Sequence, residues 1–166
     1  NSKRKKVSVF LIFSATLFMQ KEAFIMSLGE KIRMARGRQP QAYLAEKLAV
    51  SVNTLSAYEK NRSLPSLEIF KQICKIYGLS ADELLEIKDI SNTPAKNKKM
   101  LYSKLANLRD DLEYSQEEMA AMIGVSVSTW SKYETGNRTP PLNRFREICK
   151  NCKVSADYLL GLKDKY

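Results

Sequence analysis

The stretch Ser115-Gln-Glu-Glu-Met-Ala-Ala-Met-Ile-Gly-Val-Ser-Val-Ser-Thr-Trp-Ser-Lys-Tyr-Glu134 decides how this chain folds. Ser115 and Glu118 have the S-x-x-E spacing of a capping box, in which a serine hydroxyl and a glutamate carboxylate tie off the first free amides of a helix. Met119, Ala120 and Ile123 then share one face at helical spacing. Gly124 stops the helix, because glycine readily takes the left-handed conformation just past a helix end. Ser126 is a good cap for a second helix. On that helix Trp130 and Tyr133 lie three apart and are expected to face inward. Ser128, Thr129 and Lys132 fall together on another face.

Two short helices joined by a glycine-bearing turn make a helix-turn-helix unit, and this chain holds the unit twice. Residues 41–87 align without a gap to 116–162, with 20 identities in 47 positions. Shared pieces include Val-Ser-Val, Tyr-Glu, Ile-Cys-Lys, Ser-Ala-Asp and Leu-Leu. Upstream, Leu28 and Ile32 match Leu101 and Leu105 at an offset two residues smaller, so repeat 1 is shorter between its first and second helices. A two-copy repeat of this length predicts two domains, since shorter solenoid units need several neighbours to stack.

Helical periodicity and breakers predict five helices per repeat. In repeat 1 they fall at about 28–36, 41–48 and 52–60. A fourth carries Leu67, Phe70, Ile73 and Cys74 and ends at Gly78. A fifth is opened by a Ser80–Glu83 capping box and carries Leu84 and Leu85. Repeat 2 repeats them at about 101–111, 116–122, 127–135, 142–151 and 156–161. No segment alternates as a strand would, so the class is all-α. The expected organisation is an extension at 1–25, a domain at 26–87, a polar Lys-rich linker at 88–99 and a domain at 100–166.

The net charge of +10 is spread in a telling way. Repeat 1 (28–87) has nine basic and seven acidic residues, and repeat 2 (100–166) has ten and nine. Most of the excess lies in 1–27 and 88–99, so charge alone does not make either repeat a nucleic-acid binder. The three cysteines read as reduced core residues, with Cys74 and Cys149 at equivalent positions. Cys149 and Cys152 form a C-x-x-C, but no second pair and no histidine accompany it, so no metal site is expected. No cofactor and no catalysis are expected either. There is no glycine-rich phosphate loop, no paired carboxylates in a plausible pocket, and no base beside Cys152.

Residues 1–25 stand apart. Lys3 to Lys6 precede an apolar run from Val7 to Met19, 13 residues long and short of the roughly 20 that a membrane helix needs. Met26-Ser-Leu-Gly-Glu-Lys-Ile-Arg would start a protein neatly at repeat 1. The expectation is that 1–25 lies upstream of the natural start and plays no part in the fold; a membrane tether is the alternative.

These residues resemble the helix-turn-helix domains of the Cro and phage-repressor type, over both repeats. The text from Ser115 through Gly136, and Ser155-Ala-Asp-Tyr-Leu-Leu-Gly161, carry the resemblance most specifically. Repeat 1 departs from it at Pro40 (no capping serine), at Ala49 (no turn glycine) and at Asn61 (no glycine after the second motif helix). The resemblance implies two tandem five-helix domains of the lambda-repressor kind that bind double-stranded DNA in the cytoplasm, as a bacterial or phage transcriptional regulator, most simply a repressor. It implies that the second motif helix enters the major groove by its N-terminal end. In repeat 2 that end would offer Val127, Ser128 and Lys132, with Ser126 and Thr129 near phosphates; in repeat 1, Val52, Asn53 and Ala57, with Ser51 and Thr54 near phosphates. Gln41 and Gln116 would contact phosphate, and Asn61, Arg62, Asn137 and Arg138 would grip the backbone, joined by Lys60. Ion pairs Arg36–Glu59 and Arg109–Glu134 would hold the first helix to the third.

Each of these has a plainer reading. Ser51 and Ser126 serve as caps whether or not they meet phosphate. Val52 and Val127 suit ordinary helix surface. Trp130, Tyr133 and Tyr58 are expected in the core rather than stacked on bases. Two readers in one chain could act as a built-in pseudo-dimer, since 12 linker residues reach at most roughly 40 Å and successive major-groove faces lie roughly 34 Å apart. Alternatively one repeat reads DNA and the other makes a homodimer contact. From a different class comes a protein-interaction module such as an antitoxin or antirepressor, which the low charge of each repeat allows.

Overall fold

Serine opens most of the helices. The computed structural model describes residues 26–91 and 101–162, and among them it forms ten helices and no strand. Repeat 1 contains α1 (Leu28–Arg36), α2 (Gln41–Lys47), α3 (Val52–Glu59), α4 (Leu67–Tyr77) and α5 (Ala81–Leu85). Repeat 2 contains α6 (Leu101–Asp111), α7 (Gln116–Ile123), α8 (Val127–Glu134), α9 (Leu142–Asn151) and α10 (Ala156–Leu160). Ser27, Ser51, Ser66, Ser80, Ser115, Ser126 and Ser155 each accept from the amide three residues on. That bond satisfies one of the orphan donors at a helix start. Pro40 and Pro141 precede α2 and α9, which therefore start without a side-chain cap.

The Ser115–Glu118 capping box forms in both directions, as the spacing predicts. A second full box, Ser27–Glu30, opens α1, and the sequence reading passes over it. The box expected at Ser80–Glu83 forms only by half. Ser80 Oγ accepts from Glu83 N at 3.3 Å, but the hydroxyl donates to Asp157 at 2.7 Å. The carboxylate at this helix start comes from the other repeat, in the place that Glu83 would fill by folding back. The two-residue length difference between the repeats lengthens a helix rather than a loop: α6 runs to Asp111, past Arg109, while the breaks at 37–40 and 112–115 are equal.

Gly124 takes φ 65° at the end of α7, and Ala49, its equivalent after α2, takes φ 52°. The fold imposes the left-handed turn on an alanine that disfavours it, because the side chain crowds its own backbone there. Ala49→Gly is expected to stabilise the protein by about 1 kcal/mol, the left-handed penalty of a Cβ less the extra chain entropy of glycine, read as a higher midpoint in urea with an unchanged slope. A lower midpoint would contradict this account of the turn.

The core is built in two parts. Ile32, Leu44, Leu48, Leu55 and Ile73 form a buried cluster within repeat 1. The larger cluster crosses between the repeats. Phe70, Cys74, Leu84 and Leu85 share it with Leu105, Trp130, Phe145 and Leu160. Helix α4 packs against α9, and α5 against α10. All three cysteines are free and buried. Burial pushes the thiols up, to about 12 for Cys74, about 11 for Cys152 and well above the ordinary value for Cys149. The C-x-x-C thiols thus behave as small apolar core groups. Among the described residues no group of histidine, cysteine or acidic side chains could hold a metal ion. No helix there is long and apolar enough to cross a membrane. The extension at 1–25 and linker residues 92–99 lie outside the described residues.

Candidate nucleic-acid interface

Each repeat positions its second motif helix in the same way. Helix α3 packs on α1 and α2, and α8 packs on α6 and α7. At the C-terminal end of each sits a buried glutamate. Glu59 accepts from Arg36 Nε at 2.6 Å and Nη2 at 3.0 Å, and from Gln41 Nε2 at 2.7 Å. Glu134 accepts from Arg109 Nε at 2.6 Å, Gln116 Nε2 at 2.6 Å and Trp130 Nε1 at 2.8 Å. One carboxylate therefore ties together the first three helices of its repeat. Burial pushes Glu59 up, but the bonds from Arg36 and Gln41 outweigh it and hold the carboxyl below its ordinary value. The bonds to glutamate raise both arginines. The arginines also fasten the following loop: Arg36 Nη1 donates to Gln39 O, and Arg109 Nη1 donates to Tyr114 O at 3.0 Å.

Trp130 is fully buried and meets Tyr133 edge-on, with ring centroids 6.5 Å apart and planes at 82°. Tyr58 is partly buried against the repeat 1 core. Trp130 and Tyr133 are thus core residues, while Tyr58 packs on the core and keeps part of its surface exposed. Repeat 2 carries an additional brace. Arg144 Nη1 donates to Ile123 O at 2.8 Å and Asn151 Nδ2 to Met122 O at 3.2 Å, so α9 holds the end of α7. Repeat 1 has Ile69 and Ile76 at those positions and no such brace.

The N-terminal ends of α3 and α8 face outward. Val52 is 43% and Val127 38% exposed, large values for valine. Asn53, Ser128 and Lys132 are exposed, and Ala57 is partly buried. Ser51 and Ser126 cap their helices and also bond Thr54 Oγ1 and Thr129 Oγ1, at 2.8 and 2.9 Å. Lys60, Arg62, Asn137 and Arg138 are exposed on the turns that follow. Two groups have partners that the sequence does not disclose. Gln41 and Gln116 spend one amide hydrogen on the buried glutamates, which leaves the other Nε2 hydrogen for a ligand. Asn61 Oδ1 accepts from Gly29 N at 2.9 Å and its Nδ2 donates to Ser27 Oγ at 2.6 Å, so its side chain is engaged at the start of α1.

Two copies of a helix-turn-helix, each with an arginine–glutamate pair behind an exposed helix end, define the class of protein. The helix-turn-helix family model matches residues 30–84 and again 105–159. The chain belongs to the helix-turn-helix family of the Cro and phage-repressor type. It is similar to the uncharacterized HTH-type transcriptional regulator YobD of Bacillus subtilis, 34% identical over 65 residues, 39% of this chain and 58% of that protein. It is also similar to the cryptic phage CTXphi transcriptional repressor RstR of Vibrio cholerae, 34% identical over 58 residues, 35% of this chain and 52% of that protein. A third relative is the HTH-type transcriptional regulator ImmR of Bacillus subtilis, 33% identical over 84 residues, 49% of this chain and 64% of that protein. The matches thus span between about half and just under two thirds of these relatives. No solved structure matches.

Proposed function

We propose that this chain is a transcriptional repressor that reads specific sequences in double-stranded DNA through the N-terminal ends of α3 and α8. The exposure of Val52, Asn53, Val127, Ser128 and Lys132 at those ends, on helices anchored by buried ion pairs, carries the reading. Base edges specify and phosphates position. Asn53 suits a bidentate pair with adenine, Lys132 suits guanine, and the valine or Ala57 methyls suit the thymine methyl. Ser51, Thr54, Ser126 and Thr129, the second amide hydrogens of Gln41 and Gln116, and the turns bearing Arg62, Asn137 and Arg138 would lie against phosphate. Asn61 serves that grip indirectly, by holding its turn against α1.

Selection of bound sites from random duplexes, followed by titration at two salt concentrations, tests this. Each phosphate contact should contribute about 0.9 to the slope of log affinity against log salt. A protein-interaction module held by apolar contacts would enrich no duplex. Lys132→Ala should cost about 1–3 kcal/mol at one base position under repeat 2 and leave other positions alone. Arg138→Ala should weaken all sequences alike and lower the salt slope by about 1. A uniform loss from Lys132→Ala would contradict base reading by that side chain.

A further inference from the structure

The contact between the repeats follows a pattern that two modules on a string would not produce. Like packs on like: α4 on its counterpart α9, and α5 on its counterpart α10. The polar bonds across the contact are reciprocal to the atom. Asp157 Oδ2 accepts from Ser80 Oγ at 2.7 Å, and Asp157 Oδ1 accepts from Ala81 N at 2.6 Å. Asp82, the equivalent of Asp157, accepts from Ser155 Oγ at 2.7 Å and from Ala156 N at 2.6 Å. A motion that carries repeat 1 onto repeat 2 must therefore also carry repeat 2 onto repeat 1, which is the mark of a twofold axis. Asp157 is fully buried, so its bonds act in a medium where leaving the carboxylate unpartnered would be costly.

The pairing is also lopsided in a way that favours unlike halves. Arg146 of repeat 2 donates from Nε to Leu85 O at 2.8 Å and from Nη2 to Glu86 Oε2 at 3.0 Å. Lys31 holds the other oxygen of Glu86 at 3.0 Å, and these bonds keep the Glu86 carboxyl below its ordinary value. The mirror of this clasp has no carboxylate, because Gly161 stands where repeat 1 has Glu86, and Lys71 stands where repeat 2 has Arg146. Repeat 2 paired with the repeat 2 of a second copy would leave both arginines without that acid.

We propose that one chain is a preformed, unequal pair of readers that occupies a single composite operator made of two different half-sites in inverted order. This rests on the DNA reading proposed above and adds the form of the ligand. Readers related by a twofold would meet half-sites in inverted order, as two-fold dimers do on paired half-sites. Their unlike side chains, Asn53 and Ala57 against Ser128 and Lys132, make the half-sites differ.

Two measurements on the full chain test it. Amide hydrogen exchange needs no DNA. The Ala81 and Ala156 amides should be protected, Asp157→Ala should strip protection from Ala81, and Asp82→Ala should strip it from Ala156, each by tenfold or more. Unprotected amides in the parent chain, at a temperature where the buried helices remain protected, overturn the pairing. The second measurement titrates duplexes whose selected half-sites are inverted or direct, at several spacings, with the mass of the complex read by native mass spectrometry. One chain per duplex is expected, with a loss of tenfold or more when one half-site is moved by about 5 bp, half a helical turn. The double variant Asp82→Ala/Asp157→Ala should keep half-site binding while losing the dependence on spacing. Two chains per duplex, or indifference of the parent chain to spacing and orientation, overturns the composite operator. Protected amides with no enriched duplex at all would sink the DNA reading and leave the pairing standing.

Discussion

Glu134→Ala is expected to destabilise the protein by about 3 kcal/mol, the lower part of the range for removing one partner of a buried ion pair. The lower part applies because the Arg109 side chain keeps 19% exposure and can recover some hydration. Three donors lose their acceptor at once: Arg109 Nε, Gln116 Nε2 and Trp130 Nε1. The indole is the hardest to satisfy otherwise, since Trp130 is fully buried, and an orphaned buried N–H costs about 1–3 kcal/mol by itself. The loss should appear as a thermal midpoint lower by about 10 °C, with Trp130 emission shifting to the red as its surroundings loosen. Glu134→Gln keeps an acceptor for the indole but removes the charge facing Arg109, so it should fall between the parent and the alanine variant. A loss below about 1 kcal/mol for Glu134→Ala would place the pair in the class of solvated surface bridges. Because the same carboxylate joins α6, α7 and α8, the variant should also weaken the half-site of repeat 2 more than that of repeat 1.

Most of the helices were legible because their signals are local. Ser115 and Glu118 are three residues apart, and every described helix lies within one residue of its expected bounds where those bounds were set. The Arg36–Glu59 and Arg109–Glu134 pairs came with the family resemblance, and in the structure each Nε lies 2.6 Å from its carboxylate. Repeat 1 departs from the family pattern at Pro40 and Ala49. The fold tolerates both, starting α2 without a side-chain cap and forcing Ala49 left-handed. What stayed hidden acts over long sequence distances. Asp82 and Asp157 read as acidic residues in the first turn of a short helix, where they suit the helix dipole on their own. Nothing in spacing announces that each crosses to the other repeat. A signal did exist. Ser-Ala-Asp is identical in both repeats, whereas outward positions such as Asn53 and Ser128, or Lys60 and Thr135, have diverged. The Ser and Asp of that shared triplet are the residues that make the reciprocal contact. The engagement of Gln41, Gln116 and Asn61 was hidden for a related reason, since an exposed-looking amide gives no hint of a carboxylate or a helix start folded beside it.

Gly29→Ala carries the other large expected effect, and the two repeats explain it by contrast. In repeat 1, α1 lies so close to the end of α3 that a Cβ at position 29 would collide with Tyr58 O and lie 2.7 Å from Glu59 O. Both are backbone atoms of a packed helix and cannot swing aside, so the variant should lose about 1–3 kcal/mol through overpacking. Repeat 2 reverses the sizes. Tyr102 stands at the position of Gly29, and the turn opposite is Gly136, where a Cβ would lie 2.8 Å from the Tyr102 ring. Each repeat thus keeps one small residue at this crossing, on the helix in repeat 1 and on the turn in repeat 2. The turn residue in repeat 1 is Asn61, which at φ 55° accepts the strain of a left-handed turn and bonds Gly29 N. Tyr102→Ala, which opens space on the surface instead of crowding it, should cost less than Gly29→Ala in the same melting series. The crowded variant should also push α1 away from α3, where Arg36 grips Glu59, and so lower the affinity for the repeat 1 half-site while sparing that of repeat 2. Equal melting midpoints for Gly29→Ala and the parent would mean that α1 can slide outward without cost, and the close crossing would then have no part in setting the pose of α3.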